Sequence, residues 1–369
     1  MSTTPAYKKI YIDLKNKIYN GTYSYKSRLP TEMALAAHYG VSRITSKRAL
    51  DELANEKWIL RQPGKGSFVS YRSSIKRSIV IGVVLSFTTN HGLDNYLEGL
   101  RAGLEQTDYT LKLFYTNKDH SSIKELDQWI QNQQLAGVIL QTSLPRKTLD
   151  SIMQYFYQGM PVVLLNQEWD GLSLPTVVAD DFSGGYKAAR HAIANGHRHI
   201  LFFSQAQPYS HPAVRKRYLG YLKALSENNL SLPMVRSNAA ELNLSLTTQT
   251  NQLLLQEWQE QGVTCVLFEN DVLAIEFLSA ASLMEWSIPQ KISLIGFDGI
   301  PLGQLLSPRL TTIKQPFFEI GFQAASSFLD QLMPFNEETA ISKKKTAAVL
   351  LVEQQTVQSL KKESGTKGV

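Results

Sequence analysis

Residues 28–55 read RLPTEMALAAHYGVSRITSKRALDELAN, with the punctuation of two short helices around a tight turn. Thr31, after Pro30, is placed to cap a first helix carrying Met33, Leu35, Ala36 and Ala37, and Gly40 ends it. Ser42 is a good cap for a second helix in which Ser46, Ala49, Leu50 and Leu53 share one face at three- and four-residue spacing. That face is the packed one. Arg43, Ile44 and Lys47 fall on the other side, with Thr45 at its edge, where a recognition helix presents side chains to base edges in a major groove. Taken alone, the stretch also fits an αα-hairpin with a solvated charged face.

The residues after Trp58 separate the two possibilities. They are ILRQ at 59–62, the turn PGKG at 63–66 and SFVS at 67–70, a β-hairpin wing beside a helix-turn-helix. Gly64 and Gly66 let the backbone pass close to a phosphate or into a minor groove, and Lys65 supplies charge between them. The turn opens no helix and lacks the Lys-Ser/Thr pair after a four-residue gap, so it is not a phosphate-binding P-loop.

Residues 1–70 therefore resemble the GntR family of winged helix-turn-helix domains, an α+β fold, through LPTE at 29–32, GVSRITSKRAL at 40–50 and PGKGSFV at 63–69. The resemblance implies DNA contacts from Ser42, Arg43, Ile44, Thr45 and Lys47, from Arg28 and Glu32, and from Gly64 with Lys65 in the wing. Met33 departs from the family, many of whose members carry arginine there.

Working outward, Tyr7, Ile10, Tyr11, Leu14 and Ile18 have helical spacing and predict a first helix over 7–21, with Lys8 and Lys9 in reach of a DNA backbone. Residues 1–77 hold 15 Lys and Arg against 5 Asp and Glu, or +10, so the remainder carries 6 minus 10, or −4. Positive charge gathered on one small domain is the footprint of phosphate binding. Residues 71–78 are short, polar and basic, and read as a linker.

From 79 the texture changes to apolar runs alternating with amphipathic stretches, the pattern of repeated βαβ units with strands buried on both faces. The runs are IVIGVVL (79–85), LKLFY (111–115), GVIL (137–140), PVVLL (161–165), TVVA (176–179) and HILFF (199–203). Later runs are VTCVLF (263–268), ISLIGF (292–297) and AAVLLV (347–352). Helical patterns include 93–106, 122–133, 184–195, 215–227 and 271–286. Two parallel α/β subdomains are expected, with ligands at the carboxyl ends of the strands. Polar residues there include Ser86, Gln141, Asn166, Asn270, Asp271, Asp298 and Gln315, each of which also fits a cap or a turn.

Residues 79–357 are similar to the LacI family, whose α/β effector body has the two-subdomain fold of periplasmic sugar-binding proteins. The words that carry the likeness are VVADDFSGGYKAARHAIANGHRHILFFS at 177–204, RYLGYLKAL at 217–225, VLFEND at 266–271, and ISLIGFDG with SPRLTTIKQP within 292–316. The resemblance implies effector contacts at Arg217, Asp271 and Asp298, then at Asn95, Tyr96 and Gln141, with Gln315 at the second crossing between subdomains. Three departures stand out: the LacI family's own DNA-binding head and hinge helix are replaced, Asn166-Gln167 stands for Asp-Arg, and Glu353-Gln354-Gln355 stands for Arg-Glu-Ser.

A GntR-like head on a LacI-like body is the arrangement of arabinose-responsive repressors. It implies a homodimer on operator DNA, released by L-arabinose or a related pentose, with another sugar, a phosphosugar or a nucleoside as alternatives. Arabinose-type regulators tend to be acidic where this chain has Gln141. No apolar run approaches the ~20 residues of a membrane span, and the first 20 residues do not read as a signal peptide. A cytoplasmic protein is expected, which disfavours a transport receptor. The histidines lack HExxH spacing, no cofactor-lysine motif is visible, and Cys265 sits in an apolar run. No catalysis, cofactor or metal is expected, and residues 358–369 read as a loose polar tail.

Overall fold

The computed structural model describes residues 5–19, 22–23, 25–71, 79–86, 92–116, 123–141, 146–169, 174–205, 207–232, 247–332 and 344–361. Of the linker expected at 71–78, residues 72–78 lie outside them.

The N-terminal unit comprises α1 (Ala6–Tyr19), α2 (Glu32–Tyr39), α3 (Arg43–Asn55), β1 (Ile59–Gln62) and β2 (Gly66–Val69). Thr31 caps α2 by accepting from the Ala34 amide at 3.2 Å, and Gly40 ends the helix at φ 60°. Ser42 caps α3 through the Thr45 amide, also at 3.2 Å. The buried side chains of α3 are Ser46, Ala49, Leu50 and Leu53, which close on Ile10, Leu14 and Ile18 of α1, Leu35 of α2 and Val69 of the wing. Each such aliphatic side chain contributes about 1.5–3 kcal/mol by leaving water. Arg28 pairs with Phe68 in a backbone bridge, and its side chain lies so close to Gly66 that a Cβ there would meet Arg28 Nε at 2.9 Å.

The rest of the chain forms two lobes. The N-lobe sheet has the order β12-β7-β6-β5-β3-β4, all parallel, from β3 (Val80–Ser86), β4 (Thr110–Thr116), β5 (Gly137–Gln141), β6 (Val162–Leu165), β7 (Thr176–Ala179) and β12 (Lys344–Ala347). Its helices include α4 (Leu93–Leu104), α5 (Ile123–Asn132), α6 (Arg146–Tyr157) and a helix from the far end of the sequence, α12 (Phe317–Leu332), which packs along α4. The C-lobe sheet is β13-β11-β10-β9-β8, from β8 (Ile200–Phe203), β9 (Cys265–Phe268), β10 (Ser293–Asp298), β11 (Thr311–Lys314) and β13 (Leu350–Val352). Only β13 in it runs antiparallel. Around it lie α7 (Asp181–Ala194), α8 (Pro212–Glu227), α9 (Thr248–Glu260), α10 (Asp271–Leu283) and α11 (Pro301–Leu305).

The chain crosses between lobes three times: from β7 to α7, from β11 to α12, and from β12 to β13. Gln315 sits in the second crossing. Helix α7 packs on α8 at very short range, since a Cβ on Gly185 would fall 1.9 Å from the Arg217 carbonyl oxygen. That contact sets Arg217, in the first half of α8, against α7.

Several expectations change. The run AAVLLV is not one strand: its ends belong to β12 and β13, in different sheets, with the third crossing between them. Strand β11, TTIK, went unread because a single isoleucine is its only large apolar side chain. Strand β4 is half-exposed because it lies at the sheet edge, contrary to the reading of strands buried on both faces. Of the polar tail, residues 358–361 are attached: the Gln358 amide donates to Ser293 Oγ at 3.1 Å and the Leu360 amide to the Asn195 carbonyl at 2.7 Å. Residues 362–369 lie outside the described residues.

Candidate effector cleft and nucleic-acid face

Four of the seven cleft residues read from sequence come together at the carboxyl ends of the two sheets. Gln315 Nε2 donates to Asp298 Oδ1 at 2.6 Å, and Gln315 Oε1 accepts from Asn166 Nδ2 at 2.9 Å. The same Asn166 nitrogen donates to Tyr96 Oη at 2.5 Å. Arg217 Nη1 lies 3.6 Å from Asp298 Oδ1. One chain of polar contacts thus runs from Tyr96 and Asn166 in the N-lobe to Asp298 and Arg217 in the C-lobe.

Arg217 is the electrostatic centre. Its Nε donates to Asp181 Oδ1 at 2.8 Å, its Nη1 donates to the Glu269 carbonyl at 2.5 Å, and its guanidinium stacks 3.7 Å from the Phe297 ring centroid. A buried arginine holds its charge only with such partners. Burial pushes the Asp181 and Glu269 carboxyls above the usual range, and the Arg217 charge opposes it in both. Burial, and then the Asp298 carboxylate, raise the Tyr96 hydroxyl.

Asp271 has hydrogen-bond partners of its own beside Asp298. Its Oδ2 accepts from the Gly299 and Ile300 amides at 2.8 Å each, and its Oδ1 accepts from the Thr312 hydroxyl at 2.5 Å. The side chain is fully buried and anchors the turn after Asp298, whose own φ is 125°. Burial, and then Asp298, push its carboxyl up to about 7, against three donors that favour the charged form. Asn95 is exposed on α4, and Gln141 is half-buried at the end of β5, one strand from β6 and Asn166.

Sequence reasoning passed over Asp181, Glu269 and Glu168 as cleft residues. Asp181 follows Asp180, a real helix cap that accepts from the Ser183 amide at 3.0 Å, and so reads as a second N-terminal acid. Glu168, in the N-lobe, forms ion pairs with Lys344 of the same lobe and with Lys216 of the C-lobe, joining the lobes beside Arg217. The signal for all three was their place just past the ends of β6, β7 and β9.

In the head, Ile44 is 79% exposed, and Arg43 and Lys47 are exposed beside it on α3. Lys8, Lys9, Gly64 and Lys65 are exposed as well, and Ser42 caps the helix that carries Thr45. Glu32 differs from a simple DNA contact: its carboxylate accepts from Arg43 Nε at 2.9 Å and also from Arg61 of the wing. Arg43 lowers its pKa most. Glu32 therefore ties the recognition helix to the wing, and Arg43 is held rather than loose.

Two known families match the head and the body in turn. The model of the bacterial regulatory proteins of the gntR family matches residues 6–69, and that of the periplasmic binding protein-like domain matches residues 189–357. The chain joins a GntR-type head to a periplasmic-binding-protein-like body. It is 27% identical over 330 residues to the arabinose metabolism transcriptional repressor of Halalkalibacterium halodurans, covering 85% of each chain. It is also 27% identical over 338 residues to the protein of that name in Geobacillus stearothermophilus, covering 89% of this chain and 92% of the relative. The body superposes on a LacI family transcriptional regulator from Enterococcus faecium with bound ribose, with a TM-score of 0.61, 25% identity, and coverage of 76% of this chain and all of that one. Over most of its length the chain is thus similar to proteins named as transcriptional repressors, and among its described residues no helix is long and apolar enough to cross a membrane.

Proposed function

We propose that the protein represses sugar-utilisation genes and leaves operator DNA when a small neutral sugar, L-arabinose or a related pentose, occupies the cleft. The observation that carries this reading is the polar chain from Tyr96 and Asn166 through Gln315 to Asp298 and Arg217, which joins both lobes at the strand ends. Sugar hydroxyls both donate and accept, so an arginine, carboxylates and amides facing one another can exchange their mutual bonds for bonds to a polyol. The names of the two relatives matched over most of their length support arabinose. The ribose-bound structure favours D-ribose as a second reading.

Two copies of the chain would place two heads on the halves of a pseudo-palindrome, the spacing set by their two-fold axis. A sugar that binds the closed lobes better than the open ones shifts the population, and a tenfold loss of operator affinity needs only about 1.4 kcal/mol of coupling. The test is calorimetric titration of the full chain with L-arabinose, D-ribose, D-xylose and D-glucose. Saturable binding of a pentose that vanishes in Arg217→Met supports the reading; heat-silent titrations with every sugar contradict it.

A further inference from the structure

We propose that Ile44 and Met33 read thymine in the operator through its 5-methyl group. The proposal rests on the reading of the head as a DNA-binding domain and assigns it a base preference.

Helix α3 buries Ser46, Ala49, Leu50 and Leu53, and Ile44 stands on the opposite face in its first turn, 79% exposed. Met33, in the first turn of α2, is 70% exposed. Among the described residues of the head these are the two most exposed large apolar side chains. The first turns of α2 and α3 are docked together: Ser46 Oγ donates to the Glu32 carbonyl at 2.7 Å, and Arg43 Nε donates to the Glu32 carboxylate at 2.9 Å. Met33 and Ile44 are the chain neighbours of Glu32 and Arg43. Both apolar groups therefore belong to one corner of the head.

The setting of that corner selects the partner. Lys47, Arg48 and Lys65 are exposed in the same head, and residues 1–77 carry 15 basic against 5 acidic side chains. A polyanion is the complementary surface. Ile cannot hydrogen-bond a base edge and Met offers only a weak sulfur acceptor, while thymine alone among the four bases offers a methyl group in the major groove. Covering one methyl is worth about fourfold in affinity, from about 0.8 kcal/mol per buried carbon.

The experiment selects duplexes with the full chain from a randomised pool, then resynthesises the enriched sequence with single dT→dU replacements, which delete one methyl each. Binding is measured by anisotropy for wild type, Ile44→Ala and Met33→Ala. The proposal expects enriched thymine, about fourfold weaker binding at each contacted dU, and loss of that penalty at one set of positions in Ile44→Ala and at another in Met33→Ala. Unchanged thermal unfolding of both variants shows that the effect is local. Equal affinity for dT and dU duplexes, or variants that keep the full penalty, overturns the proposal while leaving DNA binding in place. Absence of any enriched duplex overturns the DNA-binding reading together with it.

Discussion

Gln315 Nε2 lies 2.6 Å from Asp298 Oδ1, a bond from the second inter-lobe crossing to the end of a C-lobe strand. Because Gln315 also accepts from Asn166 of the N-lobe, one amide senses both lobes. Replacing it, Gln315→Leu, removes one partner from Asp298 and one from Asn166. A hydrogen bond to a charged group contributes about 1.5–3 kcal/mol, so pentose affinity should fall about 10- to 100-fold by calorimetry. Affinity for operator DNA should be retained and its release by sugar blunted.

Arg217→Met should do more than weaken sugar binding. It strands the Asp181 carboxylate, at 2.8 Å from Arg217 Nε and buried, so the body should lose about 3–5 kcal/mol in urea unfolding. In Arg217→Met with Asp181→Asn the buried charge is gone, and much of that stability should return. Sugar binding should not.

Glu32→Gln keeps the shape of the α2–α3 corner but removes the charge that holds Arg43 and Arg61. Pairs this close to solvent are worth up to about 1 kcal/mol, or about fivefold. The expected outcome is a loss of that size in the ratio of selected to random duplex affinity, read by competition anisotropy, with random-duplex affinity unchanged or higher.

His197 gives the body an acid limit. Its ring is fully buried, with Nδ1 2.9 Å from Thr264 Oγ1 and Nε2 3.2 Å from the Gln358 carbonyl, and burial holds its pKa below the ordinary 6.5. The unfolded chain then binds more protons than the folded one below pH ~6.5, so stability is lost as pH falls through that value and restored above it. His191, also held low by burial, adds in the same direction. Asp271, whose carboxyl burial pushes up to about 7, acts in the opposite direction over the same range, so the check is differential: between about pH 7.5 and 5.5 the urea midpoint of wild type should fall relative to that of His197→Gln.

Much of this was legible in the chain. Buried parallel strands need unbroken apolar runs, so IVIGVVL, GVIL and ISLIGF declared themselves. The caps Thr31 and Ser42 and the buried face of α3 came from spacing alone. Strands such as TTIK and KKTA escaped because neighbours rather than composition make them strands: β11 is held between β10 and β13, and β12 by β7. In the cleft, position past a strand end marked Asp298, Gln315 and Asn166, but direction was not readable. Asp271 turns inward to two amides and a hydroxyl, whereas Asp181, the first residue of α7, turns to Arg217.

The central claim is that cleft and head are coupled. The most direct measurement is the anisotropy of a labelled duplex from upstream of the protein's own gene, titrated with the full chain at several fixed concentrations of L-arabinose and D-ribose. The account predicts that operator affinity falls progressively with one of these pentoses, levels off at saturation, and does not change in Arg217→Met. An operator affinity that stays constant while the sugar demonstrably fills the cleft would contradict it.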